Sequence, residues 1–466
     1  MNRFFKKALQ IGILSVFCIS FEYILNIFIC KNDFIKIGFT LLLCISSLLY
    51  FFKTQYNATN YQLLSFGLLT LLLSNYVLYT MSNQSYALST MFTDLNATQS
   101  YKEYFFFSFA FAYGFTQVIG GYLLSKYGLF GYFFMSLFGA LSIISQCFVC
   151  PNSVMFLRTL SGFFFSMSSI IISYYAAKYW HKDHLNLVIN SMLFLGIKIA
   201  SIINTIILKT IIDHPCNWKN LNYGFGISLI ALSLLFLAIN IFVKKHELEE
   251  VKENNKKLPI MHEFFKLIKN DNSILLLSLL SIVSVVPFYI FRNKGEIMTS
   301  FSNLYAGVES DYFTNIFNNF SAYVVIAGPL LISLLSVELV LVIFSSLALI
   351  GNLLFVLFGT TSHIFTTILL ISCCFSWFNH CLPSLILGKS IGKNPSSGLV
   401  FGLLNLCAMF IGGSVLGFVI ISILNNVFHT TDISLYLEFL VKCFIPFFVI
   451  SLIISILIYL KKKNNN

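Results

Sequence analysis

Fourteen runs of apolar residues occupy most of this 466-residue chain, at 9–30, 37–52, 61–91, 104–124, 129–149, 153–177, 185–212, 222–243, 273–291, 312–334, 337–358, 362–388, 397–424 and 434–460. One helix needs about 20 apolar residues to cross the hydrocarbon core of a bilayer. The runs are continuous rather than alternating, which excludes a transmembrane barrel. Lipid then leaves only helices able to satisfy their own backbone. Composition agrees, with 58% hydrophobic and 10% charged residues, where a soluble domain carries about a quarter charged. The expected fold class is an all-α polytopic membrane protein.

The longest polar stretch, residues 244–272, is dense in Lys and Glu and has eight runs before it and six after. It reads as a cytosolic linker between two bundles. The expected organisation is an N-terminal membrane hairpin within 1–60, a six-helix bundle over 61–243, the linker, a second six-helix bundle over 273–460 and a short tail, 461–466. The first run follows a basic start (MNRFFKK) yet is long, holds Glu22 and lacks a small-residue cleavage site, so it is read as an uncleaved span.

With Met1 and the linker placed in the cytosol, nineteen of the 29 Lys and Arg fall on the cytosolic side and six outside. Arg158, Lys198, Lys209 and Lys442 lie within runs. This positive-inside bias explains the net charge of +11 without a nucleic-acid partner. Both termini are expected in the cytosol. Plasma membrane and organelle membrane both remain open.

The eleven cysteines are scattered, without the paired spacing of a zinc site or a disulfide framework. Only Cys150 and Cys216, in short outer loops, are placed to pair, and a free thiol is the commoner state of such residues. There is no HExxH helix, no pair of intramembrane aspartates, no serine–histidine pair in credible register and no nucleotide-binding loop. Neither an enzyme nor a resident metal or cofactor is expected.

In the second core helix and the loop after it, Tyr113-Gly114-Phe115-Thr116-Gln117-Val118-Ile119-Gly120-Gly121-Tyr122-Leu123-Leu124-Ser125-Lys126-Tyr127-Gly128 resembles the signature loop of the major facilitator superfamily, in the form YxxTQxxGGYLxxxxG. Gly120 and Gly121 allow close helix approach and Gly128 turns a very short loop, with Lys126 at the cytosolic surface. The form is similar to that of the anion:cation symporter branch, which includes sialin and the vesicular glutamate transporters. Asn83-Gln84-Ser85-Tyr86-Ala87, Arg158 with Gly162, Ala177-Lys178-Tyr179-Trp180, Gly196 to Ala200, and Gly402 with Asn405 and Gly412 resemble further motifs of that branch, in order. The resemblance implies two six-helix repeats with a midplane site between them, here with the extra N-terminal hairpin. Three positions depart from the pattern. Met81 stands where the branch commonly has an arginine, Phe165 where relatives carry a proton-coupling acid, and Ser284 near the place of another arginine in vesicular members.

An ionisable side chain inside the bilayer costs several kcal/mol, so each is a functional candidate. Arg158, near the outer end of its run, is the first, because a guanidinium fork suits a carboxylate or phosphate. The competing reading is an arginine snorkelling to the interface. Lys198, fourteen residues into its run, is the second and would assist Arg158, against a lysine packed on carbonyls. Asn405 and Tyr113 would line the path. His380, in Trp377-Phe378-Asn379-His380, is the candidate for proton coupling in place of the missing acid, although a hydrogen-bonded core histidine is the more common case. Gly120, Gly121, Lys126 and Gly128 would set the inward gate. Glu438 and Lys442 read as an interfacial i, i+4 pair, and Arg292, Lys294 and Glu296 as a solvated outer loop. Asn96 lies in the one glycosylation motif expected outside.

The expected function is secondary active or facilitative transport of a small organic or inorganic anion by alternating access. H+ or Na+ is the candidate coupling ion, and the protein is expected to act as a monomer in the lipid bilayer. The alternatives are a facilitator of neutral solutes or drugs, and a non-transporting receptor or scaffold on the same fold. A drug/proton antiporter ranks lower because 185–212 has no proline to make the Gly-Pro bend of that group.

Overall fold

The computed structural model describes residues 49–96 with single gaps at 51, 55 and 86, then 99–181, 218–247, 260–305 without 294, 335–391, 394–427 and 433–465. Scattered positions of 185–203 and 307–332 are described as well. The first apolar run and most of the second, with Glu22, lie outside the described residues, as do Lys198, Lys209 and Cys216.

Every regular element among the described residues is helical. In chain order they are α1 (Asn60–Ser85), α2 (Ala87–Asp94), α3 (Gln99–Phe115), α4 (Gln117–Tyr127), α5 (Leu129–Ser145), α6 (Pro151–Phe165), α7 (Met167–Tyr179) and α8 (Trp218–Glu247). There follow α9 (Ile260–Asn270), α10 (Asn272–Asn293), α11 (Gly295–Asn303), α12 (Val337–Phe358) and α13 (His363–Ile391). The last are α14 (Ser397–Asn405), a π-helical stretch (Leu406–Leu416), α15 (Gly417–Val427) and α16 (Ile433–Asn465). Among the described residues, 9 helices are long and apolar enough to cross a membrane. The run at 104–124 is divided into α3 and α4 by a break at Thr116, which its backbone bridges through Gly120 N–H to Thr116 O at 2.9 Å.

Local chemistry sets the ends. Gly128 takes φ +58° between α4 and α5, a conformation that costs glycine little and other residues more. Pro151 opens α6, where its missing N–H is no loss. Ser336 caps α12 by accepting from Leu339 N at 3.2 Å, with Glu338 in the first turn. Inside the spans, hydroxyls such as those of Thr70 and Ser74 bond back to their own helix, to Phe66 O and Thr70 O, both at 2.7 Å, which satisfies them in apolar surroundings.

The chain divides into two compact units. Unit 1 holds residues 1–112 and 126–257, and unit 2 holds 113–125 and 258–466. In unit 1, α5 packs on α6 and α8, and α8 on α1. Phe165 lies against Gly139, where an added Cβ would sit 3.0 Å from the ring, and Ser136 meets Ser233 at 2.7 Å. In unit 2, α12 packs on α13 and α16, and α10 on α13, α16 and the π-helical stretch. Phe288 stacks on Trp377 with centroids 4.8 Å apart. At one end of unit 2, Lys462 pairs with Glu338 at 2.6 Å and Lys461 donates to Ser273 Oγ at 2.7 Å. This joins the end of α16 to the starts of α10 and α12. Large side chains such as Phe134, Phe156, Ile227, Leu357 and Ile453 stand exposed on both units. In water such surface would aggregate, whereas a lipid-facing wall requires it.

Candidate functional site

Arg158 sits two turns into α6 and is only 2% exposed. It does not snorkel. Its Nε donates to Phe105 O at 3.1 Å, and its guanidinium carbon lies 4.0 Å from the Phe105 ring centroid, 5.2 Å from Phe109 and 5.8 Å from Tyr79. Among the described residues no carboxylate pairs with it, and Nη1 has no hydrogen-bond partner. The charge is held by the negative faces of rings, an attraction that strengthens on desolvation. Such a cage stabilises the cation while Nε is spent on Phe105 O and Nη1 remains an unpartnered donor.

A polar chain extends inward from this cage. Gln146 Nε2 donates to Tyr79 Oη at 3.2 Å and to Ser161 Oγ at 3.1 Å, and Ser161 meets Ser142 at 2.9 Å. Phe165, where relatives are expected to carry the coupling acid, is buried against Tyr76 at 5.0 Å and Tyr79 at 6.3 Å between centroids. Phe165 thus adds an aromatic ring to the same cluster.

Unit 2 holds a different interior. Ser345 Oγ meets Ser451 at 3.1 Å and Ser455 at 2.9 Å, Ser284 meets Ser451 at 3.3 Å, and Ser376 donates to Ser284 O at 2.7 Å. Asn379 Nδ2 donates to Ser345 at 2.8 Å, while its Oδ1 has no partner. The adjoining His380 is buried, with Nδ1 unpartnered. This layer draws on α10, α12, α13 and α16 and carries no formal charge apart from what His380 can take up. Ser284 is one of its members.

Of the remaining candidates, Tyr113, Gly120, Gly121 and Asn405 lie in unit 2, whereas Lys126 and Gly128 belong to unit 1. The signature segment packs backbone against backbone on α14, since a Cβ at Gly398 would sit 2.6 Å from Gly121 O and one at Gly402 the same distance from Gln117 O. Gly120 is buried. Tyr113 is buried and its carbonyl accepts from Gln117 Nε2 at 2.9 Å. Asn405, at the end of α14, is buried with Nδ2 on Phe401 O at 3.0 Å. Tyr113 and Asn405 thus belong to unit 2, whereas Arg158 belongs to unit 1. Lys126 is exposed, with Nζ over the Tyr127 ring at 5.1 Å. Elsewhere, Cys150 is an exposed free thiol, Glu438 and Lys442 form the expected pair at 2.6 Å, and Asn96 is exposed with φ +48°. Of Arg292, Lys294 and Glu296, no side chain falls among the described residues.

Sequence reasoning did not single out Tyr79, Gln146 or, apart from Ser284, the serine layer. A glutamine inside an apolar run was the one available signal for the first group.

The family model of the Major Facilitator Superfamily matches residues 64–417. The chain belongs to the major facilitator superfamily. Solved structures agree with this membership. A major facilitator transporter, FucP, in its outward conformation is 15% identical, with 84% of this chain and 98% of that chain covered and a TM-score of 0.54. The E. coli fucose:proton symporter FucP gives 14% identity with the same coverage and TM-score. The proton:xylose symporter XylE bound to 6-bromo-6-deoxy-D-glucose is 12% identical, with 84% and 94% covered and a TM-score of 0.64. Identities this low establish the fold alone. Comparison with curated proteins finds no match. This facilitator chain is therefore an integral, multi-pass membrane protein of a transporter family, not an enzyme.

Proposed function

We propose that this chain carries a small anion across its membrane by alternating access, and that Arg158 binds the anion. The observation that supports this reading is a fully buried guanidinium without a carboxylate among the described residues, caged by Phe105, Phe109 and Tyr79, with Nη1 unspent. A carboxylate or phosphate supplies the missing acceptor in the geometry that Arg recognises. The signature segment and Arg158 with Gly162 favour the anion:cation symporter branch. Lys198 assists, Tyr113 and Asn405 shape the path, and Gly120, Gly121, Lys126 and Gly128 form the inward gate. His380 takes the place of the missing acid as proton carrier. The nineteen-to-six charge bias favours cytosolic termini, and the two repeats are 61–243 and 273–460.

The test is uptake of labelled organic and inorganic anions into proteoliposomes, with and without a pH gradient. Arg158→Ala should abolish saturable uptake, and His380→Ala should abolish only its dependence on the gradient. Anion uptake indifferent to Arg158→Ala would refute the assignment.

A second reading has its own observation. The serine layer with the unpartnered Asn379 Oδ1 is neutral and suits hydroxyl-rich solutes, and two of the similar structures are described as fucose and xylose symporters. Saturable uptake of labelled sugars in the same vesicles, lost in Asn379→Ala and kept in Arg158→Ala, would favour it.

A further inference from the structure

The helix α9 presents three distinct faces. Ile260, Phe264 and Leu267 follow i, i+4, i+7 spacing and form the buried side, with Phe264 7% exposed, where α9 packs on α10 and α14 within unit 2. Met261, Phe265 and Ile268 repeat that spacing one residue later. Met261 is 42% exposed and Phe265 is 61% exposed, and Ile268 is half-buried. His262, Lys266 and Lys269 repeat it once more, and all three are exposed. At 100° per residue, the apolar stripe lies directly between the buried face and the basic face. Glu263 and Asn270 fall beyond the basic side, away from the apolar stripe.

The position of this helix restricts what can cover it. A single residue, Asp271, joins α9 to the membrane-spanning α10, so α9 ends within a turn of where the span begins. At the same end of unit 2, Lys461 lies 3.9 Å from Asp271 and donates to Ser273, and Lys462 pairs with Glu338. The nearby carboxylates of Asp271 and Glu338 are thereby occupied by the tail of α16, while Lys463 is exposed there.

We propose that α9 is an interfacial helix that binds the anionic phospholipids of the surrounding bilayer. Met261, Phe265 and Ile268 enter the boundary between headgroups and acyl chains, and Lys266 and Lys269, with His262 beside them, take the phosphates. An apolar stripe flanked by basic residues is the arrangement that holds a helix in the plane of a membrane. Each lysine near an anionic surface adds roughly a fivefold preference. The occupant is lipid because α9 leads through one residue into a membrane span whose first turn exposes Leu275, and because its charge complements phosphate.

The experiment uses the full chain in vesicles of phosphatidylcholine alone and in an equimolar mixture with phosphatidylglycerol. Backbone hydrogen exchange is followed in Ile260–Asn270, with α10 as internal reference. The mixed vesicles should slow exchange in α9 about tenfold and leave α10 unchanged. The double variant Lys266→Gln, Lys269→Gln should remove that difference, and high salt should do the same. Phe265→Ser should speed exchange in both lipids. Equal exchange in the two lipid compositions, or a lipid difference that survives the lysine variant, overturns the proposal. Neither result bears on Arg158, so the assignment of an anion site stands or falls separately.

Discussion

The polar interiors of the two units are built on opposite principles. Unit 1 buries a guanidinium among aromatic rings and ties it to a short glutamine–tyrosine–serine chain. The serine layer of unit 2 joins hydroxyls and the Asn379 amide, bonded chiefly to each other across four helices. The first interior holds a full charge whose attraction for an anion grows as water leaves. The second offers donors and acceptors with no net preference for charge. Under the proposed function, recognition of a charged solute falls to unit 1, and unit 2 serves neutral hydrogen-bonding groups or a proton carried by His380.

Arg158→Lys breaks this comparison with the largest effect. A lysine keeps the charge but loses the planar fork and the stacking on Phe105. If Arg158 acts as a bidentate anchor, the variant should lose about thirtyfold or more in the ratio of maximal uptake to half-saturating concentration. Retention of wild-type kinetics would reduce Arg158 to a point charge. Exchange of α6 amides on the same sample separates this loss from misfolding.

The glycines give the next effect. Gly398→Ala aims its methyl at Gly121 O, 2.6 Å away, and at Ser125 Oγ, 2.7 Å away. Backbone cannot swing aside as a side chain does, so destabilisation of about 1–3 kcal/mol is expected. Gly67→Ala in unit 1 is the control, because nothing lies within 4 Å of its added Cβ, and a helix interior favours Ala over Gly by up to about 1 kcal/mol. Thermal unfolding in detergent should place the two variants on opposite sides of the wild type.

How much of this was legible in the sequence follows from the distance between the residues involved. Spans are local, so continuous apolar runs announced α1, α5, α10 and α12 within a few residues. Gly120 to Gly128 form one contiguous motif and were equally plain. The serine layer assembles from positions 284, 345, 376, 451 and 455, and none of these serines differs in its neighbours from a serine that merely bonds its own helix, as Ser74 does. Tyr79 was hidden in the same way, since an aromatic residue in an apolar run is ordinary until Gln146 and Arg158 arrive from other helices. Phe165 was visible as a departure from the pattern of relatives, but only packing shows that its ring joins the Arg158 cluster.

Two amides then test the contrast within its own terms. Gln146 makes two hydrogen bonds, to Tyr79 and Ser161, and Gln146→Leu should cost about 1–2 kcal/mol. Asn379 makes one and leaves Oδ1 bare. A leucine there forfeits a single bond and removes an unsatisfied acceptor, so Asn379→Leu should change stability by less than about 1 kcal/mol. Chemical or thermal unfolding of both variants decides the order. The reverse ranking would mean that the amide in unit 2 is satisfied by a bound water or solute, which would move the search for a binding site to that unit.

The smallest effect separates two ion pairs of equal length. Lys442 and Glu438 meet at 2.6 Å with both side chains more than a third exposed, and Lys462 and Glu338 meet at the same distance with Glu338 at 11%. An exposed i, i+4 pair contributes only a few tenths of a kcal/mol, so Lys442→Gln should leave the unfolding midpoint almost unmoved. Lys462→Gln instead leaves a largely buried carboxylate without its cation, although the macrodipole at the start of α12 retains part of its stabilisation. The second loss should exceed the first yet remain within about 1 kcal/mol, since Lys462 itself is half in solvent. Raising the salt concentration should erase the effect of the first variant before that of the second, because screening reaches exposed charges more completely than buried ones.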